Sequence, residues 1–179
     1  MTASMLQKVC HDVRVEPPLE PLTGETFAHR TANSAQGARL DISVRGLWVP
    51  YQKVFADVRV VNPGATRYAR QSPAQILELN ANEKKRHYCR RVLEVENATF
   101  TPLIFTTNGG MGNECIAFYS RIAKLLAEKW DLDSSQTTAW VRTRLSFALI
   151  HSTIMAIRGS RRWNETITVA AEEVELTGR

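Results

Sequence analysis

Two stretches of alternating apolar and polar residues, 39–47 and 53–61, constrain the fold of this chain more than any other feature. Alternation with a period of two predicts β-strands that turn one face towards a core. The intervening residues, 48–52, have the length of a hairpin loop, and Pro63-Gly64 ends the second strand. The sequence therefore predicts an antiparallel hairpin. Its apolar face is expected to carry Leu40, Ile42, Val44, Val54, Ala56, Val58 and Val60.

The remaining patterns predict helices and further strands around this hairpin. Helices are predicted at 2–10, 72–93, 114–130 and 135–158, and strands at 11–16 and 100–107. This order predicts an α/β fold, a sandwich in which a small mixed β-sheet is flanked by helices, with extra helices at the C-terminal end. We expect the first helix to be truncated at its N-terminus. Residues 1–162 are predicted to form one domain and 163–179 a flexible tail.

The composition narrows the class of protein without identifying its partners. Of 179 residues, 44% are hydrophobic and 23% charged, which excludes intrinsic disorder, and the net charge of +5 is a moderate basic excess. No apolar run reaches the roughly 18 residues that span a bilayer, so we expect no membrane partner. Cys10, Cys89 and Cys115 form no CxxC pair, and we therefore expect free thiols and an intracellular location.

Two carboxylates meet on the polar face of the predicted hairpin. With the register centred on the loop, Asp41 falls opposite or nearly opposite Asp57, and side chains paired in this way are about 5 Å apart. Such carboxylates repel each other, so one of them is driven towards protonation unless a divalent cation such as Mg²⁺ or Mn²⁺ binds between them. The alternative is a pair of solvated surface acids with Arg45 or Arg59 as partners.

The helix at 72–93 brings a basic segment next to these acids. Residues 83–91 include five Lys or Arg, and Lys84 and Tyr88 share one helix face. A lysine beside a metal-bound water can orient that water or stabilise charge on a phosphate. Nucleic-acid contacts are expected from Arg59, Lys85, Arg86, Tyr88 and Arg90. The alternative is a solvated basic face.

A glycine-rich turn precedes the helix at 114–130. The amide groups of Gly109, Gly110 and Gly112 offer a weak candidate for a phosphate nest. The turn has neither the Lys-Ser/Thr of a P-loop nor the GxGxxG pattern, and a plain strand-to-helix turn is the favoured alternative.

Three short motifs together resemble the restriction-endonuclease-like nucleases, the PD-(D/E)xK superfamily. They are Arg39-Leu40-Asp41, Ala56-Asp57-Val58-Arg59-Val60, and Lys84 followed by Tyr88 on the next helix. The pattern is most similar to the endonuclease domain that follows the reverse transcriptase in site-specific non-LTR retrotransposons, where the lysine is displaced onto that helix. Three features depart from the superfamily pattern: Leu40 replaces Pro, Arg59 stands where most members have Lys, and the acid often found on the first helix is missing.

The resemblance implies a function as well as a restriction-endonuclease-like sandwich. It implies a Mg²⁺- or Mn²⁺-dependent DNA endonuclease domain of a mobile element, with catalytic residues Asp41, Asp57 and Lys84 and with both acids binding the metal. The resemblance also implies a reverse transcriptase domain upstream and, in a eukaryotic host, a nuclear location. Two other interpretations stay open: a catalytically inactive, nucleic-acid-binding remnant of the fold, and an interaction domain with solvated acids.

Overall fold

A computed structural model describes residues 1–19 and 39–158 of the chain. These residues form four α-helices and one four-stranded sheet, in an order that agrees with the predicted one. The elements are α1 (Thr2–Val9), β1 (His11–Val15), β2 (Ile42–Arg45), β3 (Lys53–Val61), α2 (Pro73–Glu94), β4 (Thr99–Thr106), α3 (Asn113–Trp130) and α4 (Ser134–Arg158). The predicted tail, 163–179, lies outside the described residues.

The sheet is mixed and has the strand order β1-β2-β3-β4. β1 and β3 both pair with β2 in antiparallel fashion, whereas β3 and β4 are parallel. A parallel neighbour needs a crossover, and α2 supplies it between β3 and β4. The predicted α/β fold with a small mixed sheet flanked by helices is therefore confirmed.

The hairpin register agrees with the one predicted from its loop, but β2 is shorter than expected. Ile42 pairs with Ala56 and Arg45 with Lys53, so one further step along the ladder sets Asp41 opposite Asp57. The chain bends at Asp41 before β2 begins. Because of this bend Leu40 packs in a different cluster from Ile42 and Val44, so the prediction of one shared face was wrong for Leu40.

Helices cover both faces of the sheet. One face packs Val54, Ala56 and Val58 of β3 against α1 and α3 in the main core, whereas Val60, expected on the same buried face, is exposed. The other face lies under α2, where Phe55 and Val61 belong to two separate apolar clusters, with Asp57 and Arg59 between them. The face predicted to be polar is thus covered, because residues on both sides of the acid pack against α2.

Sequence-local interactions define the start of α2. The Ser72 hydroxyl accepts a hydrogen bond from the Gln75 N–H (3.3 Å), and the Gln75 side-chain oxygen accepts one from the Ser72 N–H (2.8 Å). This capping box, with Pro73 in the first turn, determines where the helix begins. The position of Lys84, three turns later, follows from that start.

The apolar helix α4 is covered only in part. Trp140 packs edge-on against Trp130 of α3, with ring centroids 5.1 Å apart, and Val141 enters the main core. Further along, Phe147, Ile150 and Ile154 are exposed. Among the described residues, no helix has the length and apolar character needed to cross a membrane.

Candidate active site

Asp41 lies at the bend where β2 separates from β3. Its Oδ2 accepts a hydrogen bond from the Val58 N–H of β3 at 2.6 Å, and its backbone carbonyl accepts one from the Glu16 N–H at 2.9 Å. In a longer β2, the Val58 N–H would meet a backbone carbonyl. The carboxylate of Asp41 therefore takes the place of one ladder hydrogen bond, which holds it at the edge of the gap between β2 and β3.

Asp57 is a buried acid in the middle of β3. Its exposed fraction is 6%, and its Oδ2 forms an ion pair with Lys84 Nζ. Within the described part of the chain no hydrogen bond reaches Oδ2 in addition to this ion pair. Burial raises the pKa of Asp57, the Lys84 ammonium lowers it, and the charge of the nearby Asp41 raises it further.

The interpretation as a pair of solvated surface acids is wrong. Asp57 is buried and forms an ion pair with Lys84, and both arginines considered as partners form ion pairs with other acids. Arg45 binds Asp12 at 3.3 Å, and Arg59 binds Glu83 at 2.6 Å. The two acids are close enough to interact, because the charge of Asp41 raises the pKa of Asp57.

Lys84 points from α2 towards Asp57, and its side chain is only 13% exposed. The ammonium lies 5.4 Å from the ring centroid of Tyr88, one turn further along the helix. Burial raises the pKa of Tyr88, and the charges of Asp57 and Asp41 raise it further, so the phenol stays protonated near neutral pH. The structure thus brings together Asp41, Asp57, Lys84 and Tyr88.

Lys85 points away from this group. Adjacent helical residues differ in direction by about 100°, and Lys85 forms an ion pair with Glu114 at the start of α3. Arg86 lies on the exposed outer side of α2. Arg90 is exposed and pairs with Glu94 one turn later at 3.0 Å. By helical spacing it lies on the same flank of α2 as Glu83, exposed to solvent.

Arg59 is bound within the protein. Its Nη1 donates to Glu83 Oε2 at 2.6 Å and to Asn80 Oδ1 at 3.1 Å. Asn80 is fully buried, and its amide donates to the Ile76 carbonyl (2.7 Å) and to the Tyr68 hydroxyl (3.0 Å). The sequence reasoning missed both partners of Arg59. One spacing could have indicated Glu83. Arg59 follows Asp57 by two residues and so shares its strand face, and Glu83 directly precedes Lys84, the partner of Asp57.

The glycine turn uses its amide groups internally. The N–H of Gly109 donates to the Thr106 carbonyl, that of Gly110 to the Thr106 hydroxyl, and that of Gly112 to the Ile104 carbonyl, at 2.8–3.0 Å. These groups are therefore not available to hold a phosphate, which favours the plain turn. A Cβ at Gly110 would lie 2.8 Å from the Thr106 Oγ1, so the close approach requires glycine.

The donor set fits a hydrated Mg²⁺ or Mn²⁺ better than a metal held by protein ligands alone. The described residues contain no group of three or more His, Cys, Asp or Glu side chains that could hold a metal ion. Mg²⁺ usually keeps several waters and takes one or two carboxylates, which Asp41 and Asp57 can provide. Asp57 Oδ2, buried and in contact with a single cation, is the atom best suited to a second cation.

No protein-family model matches this chain, and no curated protein matches it. The assignment of a function therefore depends on the geometry of Asp41, Asp57 and Lys84 and on the motifs that contain them.

Proposed function

We propose that the chain is a divalent-metal-dependent endonuclease domain that hydrolyses phosphodiester bonds in DNA. The observation that carries the proposal is the ion pair between Lys84 of α2 and Asp57 of β3, next to the position that the hairpin register assigns to Asp41. The mixed sheet flanked by helices is compatible with the proposed restriction-endonuclease-like sandwich. Motif spacing and sheet architecture thus agree with the same interpretation.

Each residue of the site has a distinct role in this proposal. Asp41 and Asp57 hold Mg²⁺ or Mn²⁺, for which both carboxylates must be ionised. The metal, when bound, lowers the pKa of a coordinated water and stabilises charge on the phosphate. Lys84 provides an ammonium beside Asp57 that can hold the attacking water or neutralise a phosphate oxygen. Tyr88 packs beside Lys84 and limits the directions in which the ammonium can point.

The DNA backbone is the substrate that the charges favour. The chain has a net charge of +5, and Arg90 is exposed on the same flank of α2 as Glu83. As part of the same proposal, the domain belongs to a mobile element, follows a reverse transcriptase domain, and acts in the nucleus if the host is eukaryotic. These points of context are supported by the resemblance of the three motifs.

Relaxation of supercoiled plasmid tests the proposal. The wild-type protein should nick or linearise plasmid in Mg²⁺ or Mn²⁺ and not in EDTA, and Asp57→Asn should have no activity. Asp12→Asn is the matched control because Asp12 is an exposed acid that pairs with Arg14 and Arg45, away from α2. Cleavage by Asp57→Asn at the wild-type rate would contradict the proposal.

A second candidate is a catalytically inactive remnant that binds nucleic acid. The small donor set of the described residues favours it, as does α1, whose sequence contains no acidic residue. This candidate predicts that the wild-type protein shifts DNA on a gel without cleaving it in either metal. Absence of both binding and cleavage would contradict both candidates.

A further inference from the structure

We propose that Arg59 and Glu83 are positioning residues, which hold α2 against β3 so that Lys84 meets Asp57. The inference rests on the proposed function, because it assigns Arg59 to the support of that site and not to DNA. It replaces the sequence-based expectation that Arg59 contacts a phosphate.

Two neighbouring ion pairs join β3 to α2. On β3, Asp57 and Arg59 are two residues apart, so they share a face at a spacing of about 7 Å. On α2, their partners Glu83 and Lys84 are neighbours. A shift of the helix that lengthened one ion pair would also lengthen the other. The Arg59–Glu83 pair therefore opposes sliding of α2 along β3 at the position where Lys84 must be accurate.

Polar contacts, and not apolar packing, hold α2 against β3 at the site. α2 contacts β4 more extensively than β3. The apolar contacts of the β3 face lie beyond the two ends of the site, Phe55 with Val92 in one cluster and Val61 with Ile76 in the other. Asp57 and Arg59 occupy the gap between these clusters. In this gap the described residues show two ion pairs from β3 to α2, and a hydrogen bond from Arg59 to Asn80 adds to them.

Arg59 is also held from a second direction. Asn80, which receives a hydrogen bond from Arg59, is anchored to the Ile76 carbonyl and the Tyr68 hydroxyl in the buried core. Glu83 accepts the shorter hydrogen bond. Both acceptors hold the Nη1 end of the guanidinium, so this end has to break both contacts before it can reach a phosphate.

The Glu83→Gln variant separates positioning from DNA contact. If the pair positions Lys84, kcat falls about tenfold while KM and the salt dependence of binding stay at wild-type values, since small displacements of a reacting group cost rate. If Arg59 is instead a phosphate ligand that Glu83 restrains, Glu83→Gln frees it, so DNA binding tightens and kcat is retained. That second result would overturn the inference. Glu114→Gln is the control because it breaks the Lys85–Glu114 ion pair on the other flank of the same helix, towards α3, and should leave kcat unchanged.

Coupling between the two residues gives a second measure. Arg59→Gln should lose at least as much kcat as Glu83→Gln, because it also breaks the hydrogen bond to Asn80 of α2, and the double variant should lose no more than Arg59→Gln alone. Losses that multiply in the double variant would show independent roles and contradict the inference. Circular dichroism and Tm of each variant test whether it is folded, and Glu83, which is exposed, is the safer of the two positions if Arg59→Gln fails to fold.

The acylation rate of Lys84 can be measured without DNA cleavage, so it tests the positioning role separately from the proposed nuclease activity. The ammonium of Lys84 is little exposed, so its acylation by a water-soluble active ester should be slow, as followed by mass spectrometry. The rate should rise in Glu83→Gln and stay at the wild-type value in Glu114→Gln. Failure of the wild-type protein to cleave DNA would refute the proposed function alone. An unchanged rate of Lys84 acylation in Glu83→Gln would refute the positioning role.

Discussion

Asp57 combines two opposing electrostatic influences at one side chain. Burial beneath α2 disfavours its ionised form, and so does the nearby charge of Asp41, whereas the ammonium of Lys84 favours it. The net result is a raised pKa. A carboxylate held in this way gains most from an added cation, since a divalent metal would offset both unfavourable influences.

The raised pKa of Asp57 determines how the stability of the metal-free protein depends on pH. A group whose pKa rises on folding stabilises the folded state below its ordinary value, here 3.8, and loses that contribution as the pH rises through the folded pKa. Asn resembles the protonated acid. Asp57→Asn should therefore be slightly more stable than wild type at neutral pH in EDTA, and the difference should disappear under acidic conditions.

Urea unfolding at several pH values measures this difference. Asp12→Asn is the control with the opposite sign, because the hydrogen bond from Arg14 lowers the pKa of Asp12 and its loss should not stabilise the protein at neutral pH. A lower stability of Asp57→Asn than of wild type at neutral pH would mean that the ion pair with Lys84 outweighs burial.

Lys84 and Lys85 form a matched pair for a kinetic test. Lys84→Ala should lower the single-turnover rate of cleavage by about 10²-fold, the scale of a lost acid–base or charge-stabilising group, and leave DNA affinity nearly unchanged. Lys85→Ala removes an ion pair with Glu114 and should retain the wild-type rate. If Lys85→Ala abolishes turnover and Lys84→Ala does not, the assignment of the third catalytic residue is wrong.

At the scale of elements, the features that could be predicted from the sequence are those that depend on a local sequence pattern. The hairpin register followed from the position of its loop, and α2 followed from Ser72-Pro73, so the positions of Asp41, Asp57 and Lys84 could be estimated. The bend at Asp41 could not, because a tertiary hydrogen bond to Val58 replaces the continued strand. Nor could the partners of Arg59 and Lys85, which depend on how α2 packs against β3 and α3.

The orientation of α2 revises the expected DNA contacts. Arg90 is exposed on the flank of α2 that carries Glu83, whereas Lys85 faces α3. Arg90→Ala should therefore lower the slope of log K against log salt by about one, the contribution of one phosphate contact, and Lys85→Ala should leave the slope nearly unchanged. Fluorescence anisotropy with duplex DNA over a range of salt concentrations measures both slopes. A larger change for Lys85→Ala would place the DNA on the other side of the helix.

At the scale of the whole molecule, stability comes from the core between the sheet, α1 and α3. Phe118 is fully buried there, between Trp48 and Tyr119, whereas Phe147 of α4 is exposed. Phe118→Ala should lower the free energy of unfolding by about 3–5 kcal/mol. Phe147→Ala should change it by less than about 0.5 kcal/mol. Chemical denaturation measures both, and a large loss for Phe147→Ala would mean that the second half of α4 is packed in solution.

The central claim is that Asp41 and Asp57 form one site for a divalent metal beside Lys84. Calorimetric titration of the protein with Mn²⁺ tests it most directly, because it requires neither DNA nor turnover. Our account predicts that the wild-type protein binds Mn²⁺, and that both Asp41→Asn and Asp57→Asn lose this binding while Asp12→Asn keeps it. Wild-type Mn²⁺ binding that survives in both Asp41→Asn and Asp57→Asn, or no binding by the wild-type protein, would contradict it.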